Sequence, residues 1–165
     1  MSINQDVPAG HFQSARAQRG FTLAELIILI AVIGILAVMA VPSFIRYYQS
    51  AKLKSGAQQF ATLVNQAREL AIKENGRLCV KMASPSQMVY ARINCSGTAW
   101  IGLGTDAAGN ISLPPDITAA AGTNPIFDYV GSATSQAGSF TLTNTQTGAT
   151  LTVAVAASGR VTIQP

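Results

Sequence analysis

Residues 21–41 form a run of 21 amino acids in which Glu25 is the only charge. As an α-helix this run is about 31 Å long at 1.5 Å per residue, enough to cross the hydrocarbon of a bilayer. A chain of 165 residues has room for one further domain beside such a helix, and not for two. The reading of this sequence therefore turns on why a membrane-length helix begins with a single acid.

The flanks sharpen that question. Residues 1–20 are polar and mildly basic, with Arg16, Arg19 and His11 against Asp6. A secretory signal peptide places its apolar core before a small residue at the cleavage site. Here the small residue, Gly20, precedes the apolar core, so cleavage after it would leave the helix on the mature protein. The alternative is an uncleaved anchor with a short cytoplasmic tail. Arg16 and Arg19 lie before the span and Arg46, Lys52 and Lys54 after it, so counting basic residues gives no orientation. Within lipid, Glu25 is costly unless paired or protonated. Cleavage after Gly20 would create a partner, the free amine of Phe21, on the same helix or on a neighbouring one. A plain helix-dipole role for Glu25 leaves the sixteen uncharged residues that follow it unaccounted for.

Pro42 ends the apolar run, and the pattern then becomes amphipathic. Leu53, Ala57, Phe60, Val64, Ala67 and Ala71 recur at spacings of four and three, a stripe on one helix face. Asn75-Gly76 is a stop signal, with Gly76 expected in the left-handed conformation. One long helix over residues 22–75 is the prediction, kinked at Pro42, its second half packed by the stripe. Beyond it, residues 77–82 and 88–93 read as a hairpin around 83–87, and residues 98–103 as a third strand. Residues 104–110 read as a loop, and Pro114-Pro115 argues against a strand there. Further strands are expected over 126–130, 139–143, 150–155 and 160–164, with the alternation of a half-buried sheet around Leu142, Leu151 and Val153.

Composition narrows the function classes. Charged residues are only 11% of the chain, against roughly 25% in a typical soluble domain, and small polar residues dominate the second half. Seven basic residues between Arg46 and Lys81 face only Glu69 and Glu74, whereas the β half is slightly negative. A basic flank suits anionic headgroups or acidic neighbours. Cys79 and Cys95 read either as a disulfide, favoured outside the cytoplasm, or as two free thiols. No metal or cofactor is expected, because the single His11 lies far from both cysteines. Nor is an enzyme: with one histidine, which cleavage would remove, no Ser-His-Asp or Cys-His set remains. Residues 102–110 match neither a phosphate nor a calcium loop in spacing, and read as a surface turn.

The stretch Gly20-Phe21-Thr22-Leu23-Ala24-Glu25, with Gly34 and Pro42 behind it, resembles the prepilin peptidase site of type IV pilins and type II secretion pseudopilins. Gln66-Ala67-Arg68, the Trp100 region with Gly104 to Gly109, and Ser158-Gly159-Arg160-Val161 resemble, more loosely, the minor pseudopilin H and FimT/FimU-like minor pilins. The resemblance implies an α+β, pilin-like fold: a long N-terminal helix packed on an antiparallel β-rich domain. It implies a leader at 1–20, an assembly helix at 21–42, its amphipathic continuation at 43–75 and a periplasmic domain at 76–165. It implies processing by prepilin peptidase between Gly20 and Phe21, N-methylation of Phe21, and assembly through Phe21 and Glu25, with Gly34 and Pro42 as helix-kink positions. The implied partners are other pilin or pseudopilin subunits, the peptidase, the inner membrane and its assembly platform. The function implied is that of a minor structural subunit of a secretion pseudopilus or a type IV pilus. A DNA-binding minor pilin for natural transformation is the alternative. The Gly-Arg motif of this chain carries one base only, which argues against nucleic acid.

Overall fold

In the computed structural model, residues 20–133 and 135–165 are described, so all of the expected leader at 1–20 except Gly20 lies outside the described residues. Helix α1, Leu23–Lys73, runs through Pro42, and the chain divides into two compact units between Val41 and Pro42. No single helix among the described residues is long and apolar enough to cross a membrane. The consecutive stretches Leu23–Val38 and Ala40–Lys73 pass together, by length and composition.

In the second unit, every member of the predicted stripe is buried: Leu53, Ala57, Phe60, Val64, Ala67 and Ala71. The small members let the helix approach the sheets closely, and Phe60 meets Phe140 edge to face at 4.9 Å. The helix ends where expected but by a different residue. Asn75 takes the left-handed conformation (φ 49°), not Gly76. The Asn75 amide donates to the Ile72 carbonyl and the Gly76 amide to that of Ala71, the paired bonds of a Schellman cap.

Among the described residues eight strands follow: β1 (Leu78–Ser84), β2 (Gln87–Arg92), β3 (Asn110–Ser112), β4 (Ile117–Thr123), β5 (Ile126–Phe127), β6 (Gly138–Asn144), β7 (Thr150–Val155) and β8 (Val161–Gln164). They form two four-stranded antiparallel sheets, ordered β3-β2-β1-β5 and β4-β6-β7-β8. One core joins the helix stripe to both sheets, through Leu78, Val80 and Tyr90 of the first and Phe140, Leu142 and Val153 of the second. The expected third strand at 98–103 does not form. Its backbone touches β2 at the single bridge Ala91–Ala99. It then turns at Gly102, where a side chain would collide with the Trp100 ring. The strand expected over 126–130 stops at Phe127, because Asp128 begins a turn closed by the Gly131 amide donating to its carbonyl. β3 and β4 were not foreseen. β3 has three residues, and β4 reads Ile-Thr-Ala-Ala-Ala-Gly-Thr, with little of the β-branched bulk that marks a strand.

Candidate functional site

In the first unit, Thr22 sits at the helix N-cap. Its carbonyl accepts the Leu26 amide at 3.2 Å, and its hydroxyl oxygen accepts the Glu25 amide at 3.2 Å. In return, Glu25 Oε2 accepts both the Thr22 amide at 3.0 Å and the Thr22 hydroxyl at 2.9 Å. This is a capping box, Thr-x-x-Glu, in which side chains satisfy the orphan donors of the first turn reciprocally. The Oε1 atom accepts no hydrogen bond among the described residues. The signal for the box was present in the sequence as Thr22 three residues before Glu25, and was missed. Gly20 and Phe21 precede the helix and are exposed, Phe21 at 80%.

Beyond the cap, the large apolar side chains from Leu23 to Val38 that are described are each at least half exposed, on all faces of the helix. A helix apolar all round is stable only in lipid or among other helices. Gly34 has open space where a side chain would be, so nothing among the described residues requires glycine there. Pro42 lies inside α1 and removes the amide that would bond the Val38 carbonyl.

In the second unit, the sequence-selected motifs converge. Arg68 Nε donates to the Gly131 carbonyl at 2.7 Å. Gly131 (φ 77°) and Gly159 (φ 80°) both need glycine, and a side chain on Gly159 would strike the Gly131 oxygen. The helix motif around Arg68 and the Ser158-Gly159-Arg160 turn therefore meet on the β5–β6 loop. Near the other end of this helical segment, Lys52 pairs with Asp116 at 2.5 Å, and buried Asn144 donates to the Gln49 carbonyl and to Gln49 Oε1. Hydrogen bonds from Lys52 and Gln146 hold the Asp116 carboxyl below its usual range. Asn110 does the same for Asp106, which closes the 106–110 turn rather than a ligand site. Burial pushes the Tyr90 phenol up, and its hydroxyl donates to the Leu63 carbonyl.

Cys79 and Cys95 form a disulfide, with Cα atoms 5.1 Å apart. It ties the 93–97 loop to β1, where Lys81 Nζ also donates to the Cys95 carbonyl. Four of the seven basic residues between Arg46 and Lys81 are engaged within the domain, as is Arg92 of β2. Lys52, Arg68, Arg77, Lys81 and Arg92 each hold a partner in their own domain. Among the described residues no group of His, Cys, Asp and Glu is placed to hold a metal.

The chain is similar to known proteins in sequence and in fold. The family profile described as type II transport protein GspH matches residues 56–159, and the prokaryotic N-terminal methylation motif matches residues 15–41. A fimbrial protein of Pseudomonas aeruginosa is 39% identical over 75 residues, 46% of this chain and 47% of that protein. The type IV major pilin protein PilA of Myxococcus xanthus (strain DK1622) is 56% identical over 34 residues, 21% of this chain and 16% of that protein. The matched segment thus spans about half the length of the fimbrial protein, and less of PilA. In structure, the chain resembles the type IV minor pilin FimU of Pseudomonas aeruginosa (strain PAO1). The TM-score is 0.52 at 14% identity, over 72% of this chain and 92% of that one, a likeness of fold.

Proposed function

This chain belongs to the family of the type II transport protein GspH, and on that basis we propose that it is a minor structural subunit of a fibre, a type II secretion pseudopilus or a type IV pilus. The observation that carries this reading is a capped, all-round apolar helix lying within a methylation motif and continuing into the family domain.

The sequence of events follows from the chemistry at residues 20–25. Prepilin peptidase hydrolyses the Gly20–Phe21 amide, freeing a Phe21 amine that is then methylated. The Thr22 amide is made with the Phe21 carbonyl, so this cleavage leaves the capping box intact. Glu25 then holds its own helix start with Oε2 and keeps Oε1 for a second donor. The amine of Phe21 on a neighbouring subunit is the cation that fits, and the pairing fixes the register between helices. Until then the helix resides in the inner membrane, with the leader in the cytoplasm and the β domain in the periplasm, and is handed on by the assembly platform. The open space at Gly34 lets another helix approach closely, and Pro42 supplies a kink position between the apolar and amphipathic segments. DNA binding is not supported, because the Gly159-Arg160 motif carries one base only and phosphate binding draws on many.

The test is processing followed by incorporation. Gly20→Val should block cleavage, so a normal mature mass would sink the processing step. Glu25→Val should be cleaved normally yet be lost from sheared fibres. An undiminished fibre fraction would overturn the pairing role of Glu25.

A further inference from the structure

Strand β8 stands at one end of its sheet, with no strand on its far side among the described residues. The hairpin with β7 shows which of its backbone groups are in use. The Ala156 amide donates to the Arg160 carbonyl at 2.9 Å, and the Ala154 carbonyl accepts the Thr162 hydroxyl at 3.5 Å. In an antiparallel ladder, the residues that exchange bonds with a given neighbour alternate. Arg160, Thr162 and Gln164 therefore turn their backbone groups to β7, and the amides and carbonyls of Val161 and Ile163 point to the open edge. Sheet edges are ordinarily guarded by charge, proline or a bulge. The other end of this sheet, β4, shifts register between Ala121 and Thr123. Val161–Gln164 is uncharged and pairs with β7 in unbroken register.

The unpaired groups say what kind of partner fits. Donors and acceptors alternating at strand spacing are matched by another extended backbone. A lipid or a nucleic acid would leave the amides or the carbonyls unmet. Side chains narrow the choice further. Val161 and Ile163 lie opposite the buried Val155 and Val153, so they share the sheet face turned to the core. Val161 packs on that core, but Ile163 stays 38% exposed and, with Leu151 and Leu53 of α1, lines a groove of about 460 Å³. An added strand would hold apolar side chains on the positions that face this groove. A second copy of this chain is the wrong occupant. Antiparallel pairing of two β8 strands relates the copies by a two-fold axis across the sheet, which reverses any helix lying along its face. Helices anchored in one membrane run the same way.

We propose that β8 receives an added strand from a different fibre subunit, an uncharged extended segment that pairs with the backbone of Val161 and Ile163 and sets alternate apolar side chains against Ile163 and Leu151. This rests on the fibre-subunit reading. The full-length chain carrying a benzophenone amino acid at position 164, where Gln164 is exposed, is expressed with the other subunits of its fibre and irradiated. A parallel sample carries the probe at position 29 in the apolar helix. The expected result is a cross-link from position 164 to an uncharged, alternating segment of another subunit. Ile163→Pro and Ile163→Ala both shorten the groove wall, but only proline removes the outward amide, and an edge tolerates it on that side. The cross-link should fall at least about fivefold further with proline, the loss of one hydrogen bond of about 1 kcal/mol. Equal yields from the two variants would overturn the inference. So would a urea midpoint for Ile163→Pro far below that of Ile163→Ala, since the amide would then belong to the β7 ladder. A cross-link from position 29 with none from position 164 would overturn this inference and spare the fibre-subunit reading. Absence of both would overturn the two together. Capture from position 164 of a second copy, of lipid or of a helical segment would also overturn the inference.

Discussion

Replacing Gly159 by alanine should destabilise the β domain far more than the same change at Gly148. The two glycines have similar backbone angles, φ 80° and 71°. Placing an L-residue in that region costs about 1–2 kcal/mol, partly offset by the stiffer unfolded chain, for a net of about 1 kcal/mol. At Gly148 nothing more is lost, since a methyl group there meets no atom within 4 Å. At Gly159 the methyl is driven into the Gly131 carbonyl oxygen and lies 3.1 Å from Arg68 Nε. The loop must retreat, and the 2.7 Å bond from Arg68 goes with it. A hydrogen bond from a charged donor is worth about 1.5–3 kcal/mol, so the total at Gly159 is about 2.5–4 kcal/mol. Trp100 is the only tryptophan, packed near Tyr90 and bonded to Glu74. Urea titration of the full chain in detergent, followed by Trp100 fluorescence, reads both variants. Costs that agree within about 0.5 kcal/mol would refute the close-approach argument. Full additivity between Gly159→Ala and Arg68→Ala would refute it as well, because both act through one hydrogen bond.

Three further outcomes are expected. Reducing the Cys79–Cys95 bond, which closes a separation of 16 residues, should lower domain stability by about 3 kcal/mol; an unchanged urea midpoint in reductant would contradict this. The Asp116 carboxyl is held below its usual range by Lys52 and Gln146. Its contribution is therefore complete above the unfolded value of 3.8 and is lost as pH falls through the lower folded value. The stability gap between the parent chain and Asp116→Asn should stay constant from about pH 7 to pH 5 and close below about pH 4, and a gap that widens in acid would reverse the sign. Thr22→Val removes the cap hydroxyl while keeping the shape. Exchange of the Glu25 amide should then quicken roughly fivefold, a cap being worth about 1 kcal/mol, and unchanged exchange would show that the hydroxyl does not cap.

The helix was legible because its stripe obeys one period over 19 residues, from Leu53 to Ala71, and burial follows it residue by residue. Strands β6 and β7 were legible for the same reason at period two. Where the sequence misled, local preference had lost to contacts distant in the chain. Residues 98–103 carry strand-forming side chains, yet Trp100 is taken by Glu74 of the helix end and Gly102 turns the backbone under its ring. β4 is the converse: an alanine-rich edge that becomes a strand because β6 pairs with it from Ile117↔Asn144 to Thr123↔Ser139. The convergence of Arg68, Gly131 and Gly159 could not be read from spacing, since the hydrogen bond alone joins positions 63 residues apart.

Glu25 was visible in the sequence as an acid in need of a partner, but the capping box divides that need. Two donors from Thr22 converge on one carboxylate oxygen and meet part of that need. Hydrogen bonds alone leave the full negative charge in place, and in hydrocarbon that charge remains expensive. What the cap supplies is direction. Both bonds to Thr22 end on Oε2, which holds the carboxylate at the helix start and leaves its second oxygen for another donor. Under the proposed pairing, a neighbour's amine would meet a preset acceptor, and the energy of pairing would go into choosing one helix register over its alternatives. On this argument Thr22 and Glu25 act as one device, in which the threonine sets the geometry that the glutamate's charge exploits.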